Sequence, residues 1–346
     1  VDTVLVTGGS GFVAAHLVRE LLERGYRVHA TVRSLTATAK VAPLTALGEQ
    51  HPGALRLFEA DLMEDGSFDE VARGCSVVFH VASPFLMPEK IKDGQRDVVD
   101  PALTGTRNVL GAVERAESVR RLVFTSTVGA IFGDYSDVLT DMGGELTEKY
   151  VNSSSTVANN PYHYAKTVAE QAAWDAHGAQ GRWSMVAVNP GLILGPSLTP
   201  ASDSGSLFLL DELFKGYFWY GAPDFSFTTV DVRDVALAHI AAAENPDAHG
   251  RYILAEKEMT SFHQMATAIR RHHKNWRLPR TALPHWPVRI LGPAFGLTQD
   301  YIRKHLGIRF TVDNRRSTEE LGIRYRPVEE TLVDHYRSWM TSASRR

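Results

Sequence analysis

Only one cysteine, Cys75, stands in the 346 residues. An intramolecular disulfide is excluded, and a cysteine-built metal site is not expected. A reducing, cytoplasmic compartment fits this usage. No basic excess is present: 37 Lys and Arg face 40 Asp and Glu, for a net charge of −3. Nucleic acids and anionic membranes both select cationic surfaces, so neither is expected as a partner. No apolar run approaches the roughly 20 residues needed to span a bilayer. Fourteen histidines occur, but none falls in a His-Glu-x-x-His pattern, and no metal is expected. The chain opens directly on a strand pattern with no targeting segment visible. The triplet Asn152-Ser153-Ser154 matches a glycosylation acceptor and, without a secretion signal, is read as chance. No internal repeat is visible, and the polar run Ser153 to Thr156 reads as a mobile loop.

What remains is an ordinary globular composition, long enough for one large α/β domain with a smaller lobe. Runs rich in Val, Leu and Phe predict strands at 3–7, 27–32, 55–59, 77–82, 121–126 and 184–189. Their nearly continuous apolar character is that of parallel strands buried on both faces. Helical spacing follows the first strand, where Val13, Leu17 and Leu21 recur, and predicts further helices near 102–117 and 162–177. Alternation of this kind predicts a doubly wound, Rossmann-type parallel sheet. The expected dinucleotide-binding domain covers 1–190, with the chain rejoining the core sheet at about 231–254. Residues 191–230 and 255–346 are expected to form a smaller C-terminal substrate lobe, ending in a helix over 328–340. The aromatic stretch Tyr217 to Tyr220, with Phe225 and Phe227, is either a substrate wall or lobe packing.

Thr7-Gly8-Gly9-Ser10-Gly11-Phe12-Val13-Ala14 joins the first strand to the first helix. Gly8 permits the tight turn, Gly11 admits a close pyrophosphate, and Ala14 lets the helix pack near the sheet. The backbone N–H groups of Ser10, Gly11, Phe12 and Val13 face the phosphates at the positive end of the helix. An NAD site usually carries an acid at the end of the second strand, about 20 residues past the turn. Here that place reads Val32-Arg33-Ser34. A guanidinium fork grips a 2′-phosphate, so NADP(H) is the expected cofactor. Asp61 and Leu62 follow the third strand, where the adenine ring is expected; Asp61 either accepts from its amino group or caps a helix.

Tyr162 and Lys166 lie four apart, on one face of the predicted helix. A phenol titrates near 10, and a nearby ammonium lowers that value toward the range where it exchanges a proton with a carbonyl oxygen. Ligands of doubly wound sheets bind at the carboxyl ends of the strands. Thr127, and after it Ser126, is therefore the candidate hydroxyl that polarises the carbonyl. Phe85 and Tyr164 are candidate apolar contacts for the substrate.

The segments VLVTGGSGFVAAHLV, TVRS, FHVASPF, LVFTST, YHYAKTVAEQAAW, NPGLILGP and VDVRDVALAH occur in this order over residues 4–240. Together they resemble the extended short-chain dehydrogenase/reductases. Within these they resemble the dihydroflavonol reductase group, with its cinnamoyl-CoA reductases and yeast-type methylglyoxal and ketone reductases. Beyond about residue 255 the likeness fades. The resemblance implies Tyr162 and Lys166 as catalytic residues and Arg33 as the 2′-phosphate arginine. It implies Ala82 and Ser83 beside the ribose and nicotinamide, and Asn189 and Pro190 at the nicotinamide end. The family's catalytic serine falls on Thr127, a departure that keeps the hydroxyl but adds a methyl. Asp234 is expected to cap a helix or form an ion pair.

The expected function is NADPH-dependent reduction of a ketone or aldehyde on a medium-sized, apolar or aromatic substrate, by a monomer or homodimer. The alternative is an NAD-dependent nucleotide-sugar epimerase or dehydratase on the same fold. A third reading, a redox-sensing binding protein, would be expected to have lost Tyr162 or Lys166.

Overall fold

The computed structural model describes residues 2–84, 86, 90–199 and 204–343. Seven strands build the main sheet: β1 (Thr3–Val6), β2 (Arg27–Val32), β3 (Leu55–Glu59), β4 (Val77–His80), β5 (Arg121–Thr125), β6 (Ser184–Pro190) and β7 (Gly250–Leu254). Their order across the sheet is β7-β6-β5-β4-β1-β2-β3, and every pairing is parallel. The order reverses between β1 and β4. A crevice opens there at the carboxyl ends of the strands, where doubly wound sheets take their ligands.

The strands are apolar on both faces because helices cover both. The longer helices are α1 (Phe12–Glu23), α2 (Thr38–Gln50), α3 (Asp100–Arg115), α4 (Pro161–Gly178), α5 (Gly205–Lys215), α6 (Val232–Glu244), α7 (Phe262–His272) and α8 (Val328–Ala343). Side chains alternate along each strand. Val4, Val6, Phe79, Val123, Val186 and Val188 meet α1 and α6 on one face. Leu5, Val78, Leu122, Phe124 and Ala187 meet α3 and α4 on the other. Helix α2 was not expected. Pro43 lies inside it and only Val41 and Leu44 are buried, so it carries almost no apolar period.

The chain leaves the sheet after β6 and returns through α6 into β7, which pairs with β6. Arg121, at the start of β5, fastens this return. Its side chain reaches the carbonyls of Ala242 (2.8 Å), Pro246 (3.3 Å) and Ala248 (3.0 Å), and that of Asn245. It is 8% exposed, and burial holds its pKa below the ordinary arginine value. Carbonyl dipoles, not a carboxylate, solvate the guanidinium.

Helices α5, α7 and α8 enclose a separate core with Leu210, Phe214, Phe262, Met265, Ile269 and Leu332. The aromatic stretch divides. Phe218 stacks on Phe262 at 5.4 Å and Phe227 meets the same ring edge-on at 4.9 Å, whereas Tyr217, Trp219 and Tyr220 are exposed. The run Ser153 to Thr156 is not a free loop. Asn152 donates to Gly129 O (2.7 Å) and Ser155 Oγ (2.9 Å), and Ser154 Oγ donates to Asp137. Asn and Ser side chains here supply the partners that a strand ladder would otherwise give.

Replacing Arg121 with Met strips several buried carbonyls of their donor. We expect a loss of about 2–4 kcal/mol in urea unfolding. Unchanged stability would show that the 242–248 turn holds itself.

Candidate active site

The turn after β1 is fixed before any ligand arrives. Gly8 has φ +68°, which only glycine adopts without strain, and an added Cβ would lie 3.0 Å from that of Ala82. Its N–H donates to Thr31 Oγ1 (3.0 Å), and the N–H of Gly9 donates to Thr31 O (2.7 Å). Gly11 stands at the N-cap of α1, where no side chain accepts from the first turn and no acid occupies it. The N–H groups of Phe12 and Val13 thus keep their capacity for an anion, with Ser10 in the turn before them. Thr7 ties this turn to the end of β4: its hydroxyl accepts from Val81 N (3.0 Å) and Ala82 N (2.9 Å). The remaining hydroxyl proton points to His80 Nδ1 at 3.1 Å. His80 is buried and its pKa is pushed down to about 3 by burial and then by Lys166. It is a neutral imidazole with its proton on Nε2.

The other expected cofactor residues lie along the same edge. Arg33 is exposed just beyond β2, and Ser34 Oγ pairs with Thr36 Oγ1 at 2.8 Å. Asp61 accepts from Met63 N (2.9 Å) in a turn, so one of its oxygens is already used locally. Leu62, Ala82, Ser83, His80, Thr106 and Lys166 line one cleft. Asn189 is fully buried and its Oδ1 has no partner among the described residues. That orphaned acceptor, the uncapped α1 terminus and the Gly8 turn fit a dinucleotide with an amide at one end.

Helix α4 starts where the sequence commands it. Asn160 caps it by accepting from His163 N (3.1 Å), and Pro161 takes the first position. Tyr162 and Lys166 therefore sit on its first turns. Tyr162 is 44% exposed, yet desolvation by the surrounding protein holds its phenol above the usual value near 10. The acidifying influence expected from Lys166 does not prevail over that desolvation. Lys166 itself is pushed down to about 8 by burial, against the opposing charge of Glu170.

Thr127 follows β5 and begins the turn Val128–Ala130, which α4 packs against. Its hydroxyl donates to Pro190 O (3.3 Å) and accepts from Gly129 N (3.3 Å). The His163 ring occupies the space a side chain at Gly129 would need. Burial pushes His163 down to about 4, so it packs as a neutral ring against Phe132. Ser126 points away: it is buried and donates to Glu170. Thr127 is only half-buried and its bond to Pro190 O is long, which favours it over Ser126. Tyr164 packs with the Val99, Ala102 and Ala165 cluster, off the Tyr162–Lys166 face. Phe85 lies outside the described residues. Asp234 pairs with Arg326, and the cap of α6 is Asp231.

Two site residues were not singled out from the sequence. His80 sits in the segment FHVASPF, and Glu170 extends the Tyr162–Lys166 stripe by one further turn. The four-residue spacing was the available signal for Glu170.

The model of the NAD dependent epimerase/dehydratase family matches residues 4–255. The chain belongs to this family, the extended short-chain dehydrogenase/reductases. It is 36% identical over 310 residues to cinnamoyl-CoA reductase CAD2 of Medicago truncatula, covering 90% of this chain and 91% of that one. It is 35% identical over 281 residues to the bifunctional dihydroflavonol 4-reductase/flavanone 4-reductase of Malus domestica, covering 80% and 78%. The structure of Gre2 from Candida albicans in complex with NADPH is 29% identical, with TM-score 0.78 over 99% of both chains. The group resemblance read from the motifs is borne out by these relatives.

Gly129→Ala would place a Cβ 2.7 Å from His163 Nε2. We expect about 1–3 kcal/mol of destabilisation from this overpacking, read as a lowered Tm. An unchanged Tm would mean that the contact between the turn and α4 yields freely.

Proposed function

We propose that the protein is an NADPH-dependent carbonyl reductase that turns a ketone or aldehyde of a medium-sized, apolar or aromatic substrate into the alcohol. The observation that carries this reading is Tyr162 and Lys166 on one face of α4, beside the turn that begins with Thr127. The reductase activities of the relatives support it, as does the NADPH held by the Candida albicans structure.

In this reading Gly8, Ser10, Gly11, Phe12 and Val13 hold the pyrophosphate and Arg33 holds the 2′-phosphate. Asp61 and Leu62 flank the adenine. Ala82, Ser83, Lys166, Asn189 and Pro190 frame the nicotinamide and its ribose. When bound, NADPH supplies the hydride. Thr127 and Tyr162 hydrogen-bond the carbonyl oxygen and stabilise the charge that develops there. Tyr162 gives up its phenolic proton to that oxygen. A phenol held above its usual value stays protonated at neutral pH, as a proton donor in the reductive direction must. Lys166, titrating at about 8, is still mostly an ammonium there and holds the ribose. An NAD-dependent epimerase or dehydratase would want an acid where Arg33 stands.

The test follows absorbance at 340 nm with NADPH and with NADH on a panel holding a flavanonol, an aromatic aldehyde, a β-keto ester, a 1,2-dicarbonyl and a cinnamoyl thioester. We expect preferred use of NADPH, with Tyr162→Phe lowering kcat by about 10²–10⁴. Arg33→Ala should raise the KM for NADPH by about tenfold or more and leave that for NADH nearly unchanged. Reduction should fall as pH rises through about 8, where Lys166 loses its proton. Equal use of both cofactors by the Arg33 variant and the wild type, or full activity in Tyr162→Phe, would refute the assignment.

A further inference from the structure

Glu170 is a carboxylate with no exposed side-chain surface. Such a group costs several kcal/mol to desolvate unless donors surround it. Four donors do. Trp174 Nε1 donates at 3.0 Å from the next turn of α4, and Asn189 Nδ2 at 3.0 Å from the end of β6. Ser126 Oγ donates from beyond β5, and Arg251 Nε from β7. Three strands and one helix meet on it, and the ends of β5 and β6 together with α4 carry the candidate site residues Thr127, Asn189, Tyr162 and Lys166.

The connections run both ways from this centre. The Asn189 amide that donates to Glu170 also donates to Thr127 O at 3.0 Å. Both of its partners are acceptors, so its orientation is fixed by chemistry. Ser126 and Thr127 are thus gripped in succession, one by side chain and one by main chain. On the other side, Glu170 lies four residues after Lys166, the neighbouring position on a helix face.

We propose that Glu170 is a positioning residue: it fixes the Thr127 turn against α4 and presents the counter-charge that faces Lys166. The proposal deepens the carbonyl-reductase reading and rests on it for its kinetic part. The charged and titratable groups facing Lys166 are His80 from β4, Tyr162 and Glu170 from α4, and Arg251 from β7 through Glu170. His80 is neutral and Tyr162 is protonated near neutral pH, so Glu170 is the negative neighbour. Removing its charge lets burial act on Lys166 unopposed and lowers the lysine's titration point.

The experiment compares wild type, Glu170→Gln, and the double variant Glu170→Gln with Arg251→Met, which leaves no unpaired buried charge if the single variant fails to fold. Lysines are dimethylated with ¹³C-formaldehyde, and the Lys166 methyl signal is assigned by its loss in Lys166→Arg. Its titration is followed by NMR without cofactor, and the pH dependence of kcat is measured with NADPH. We expect the Lys166 titration and the alkaline limb of kcat to move down by about half a unit or more. We expect kcat to fall at least about tenfold through misplacement of Thr127, with the KM for NADPH changing far less. A folded Glu170→Gln variant whose Lys166 titrates as in wild type, or a folded single or double variant whose kcat stays within twofold, overturns the proposal. If the wild type reduces no carbonyl, the function assignment falls, and the NMR titration still decides the charge role of Glu170.

Discussion

The site depends on one buried ion pair, Glu170 with Arg251, set where α4 crosses the carboxyl ends of the sheet. Desolvating both charges is unfavourable, and attraction alone does not guarantee compensation. The surplus comes from the donors Ser126, Trp174 and Asn189, which complete the carboxylate's shell. Because those donors belong to different elements, the interaction has a geometric consequence. The end of β5, the end of β6 and the helix that carries Tyr162 and Lys166 cannot shift independently. The contact of His163 with Gly129 closes the same junction from the side of the turn.

A second constraint governs the cofactor end. Thr7 takes two N–H groups from the end of β4 on its hydroxyl oxygen and gives its proton to His80. The Gly8 turn is thereby held to the strand that precedes Ala82 and Ser83. His80 in turn lies near enough to Lys166 for the ammonium to help keep the imidazole neutral. The two ends of the proposed NADPH site are thus linked through the protein, from the phosphate turn to Lys166.

Most of the sheet was legible because strands buried on both faces are written as unbroken apolar runs. Where the reading overran, local chemistry explains it. The fourth strand was expected to reach residue 82 but ends at His80, since the next two N–H groups turn to Thr7 and leave the ladder. Helix α2 escaped because Pro43 and a thin buried face hide its period. The run at Ser153 looked like a mobile loop because polar composition does not reveal that its side chains will find Gly129 O and Asp137. In the lobe, Phe214 packs against Tyr336 and Trp339, partners more than a hundred residues away that no local pattern announces. The residues of the candidate site that carry obvious chemistry, Tyr162, Lys166 and Arg33, were visible in their motifs. The groups that hold them, Glu170 and His80, were in the same motifs, but their roles emerge only when the strands bring their partners together.

The most direct measurement of the central claim is the fate of the nicotinamide hydrogen. The protein would be given NADPH deuterated at C4 and an aromatic aldehyde or β-keto ester, and the alcohol examined by NMR and mass spectrometry. The account predicts deuterium on the carbinol carbon, one per NADPH consumed, with the labelled alcohol forming about 10²–10⁴ times more slowly when Tyr162→Phe replaces the wild type. A protein that carries NAD through purification, consumes no NADPH and leaves no label in any product would contradict it.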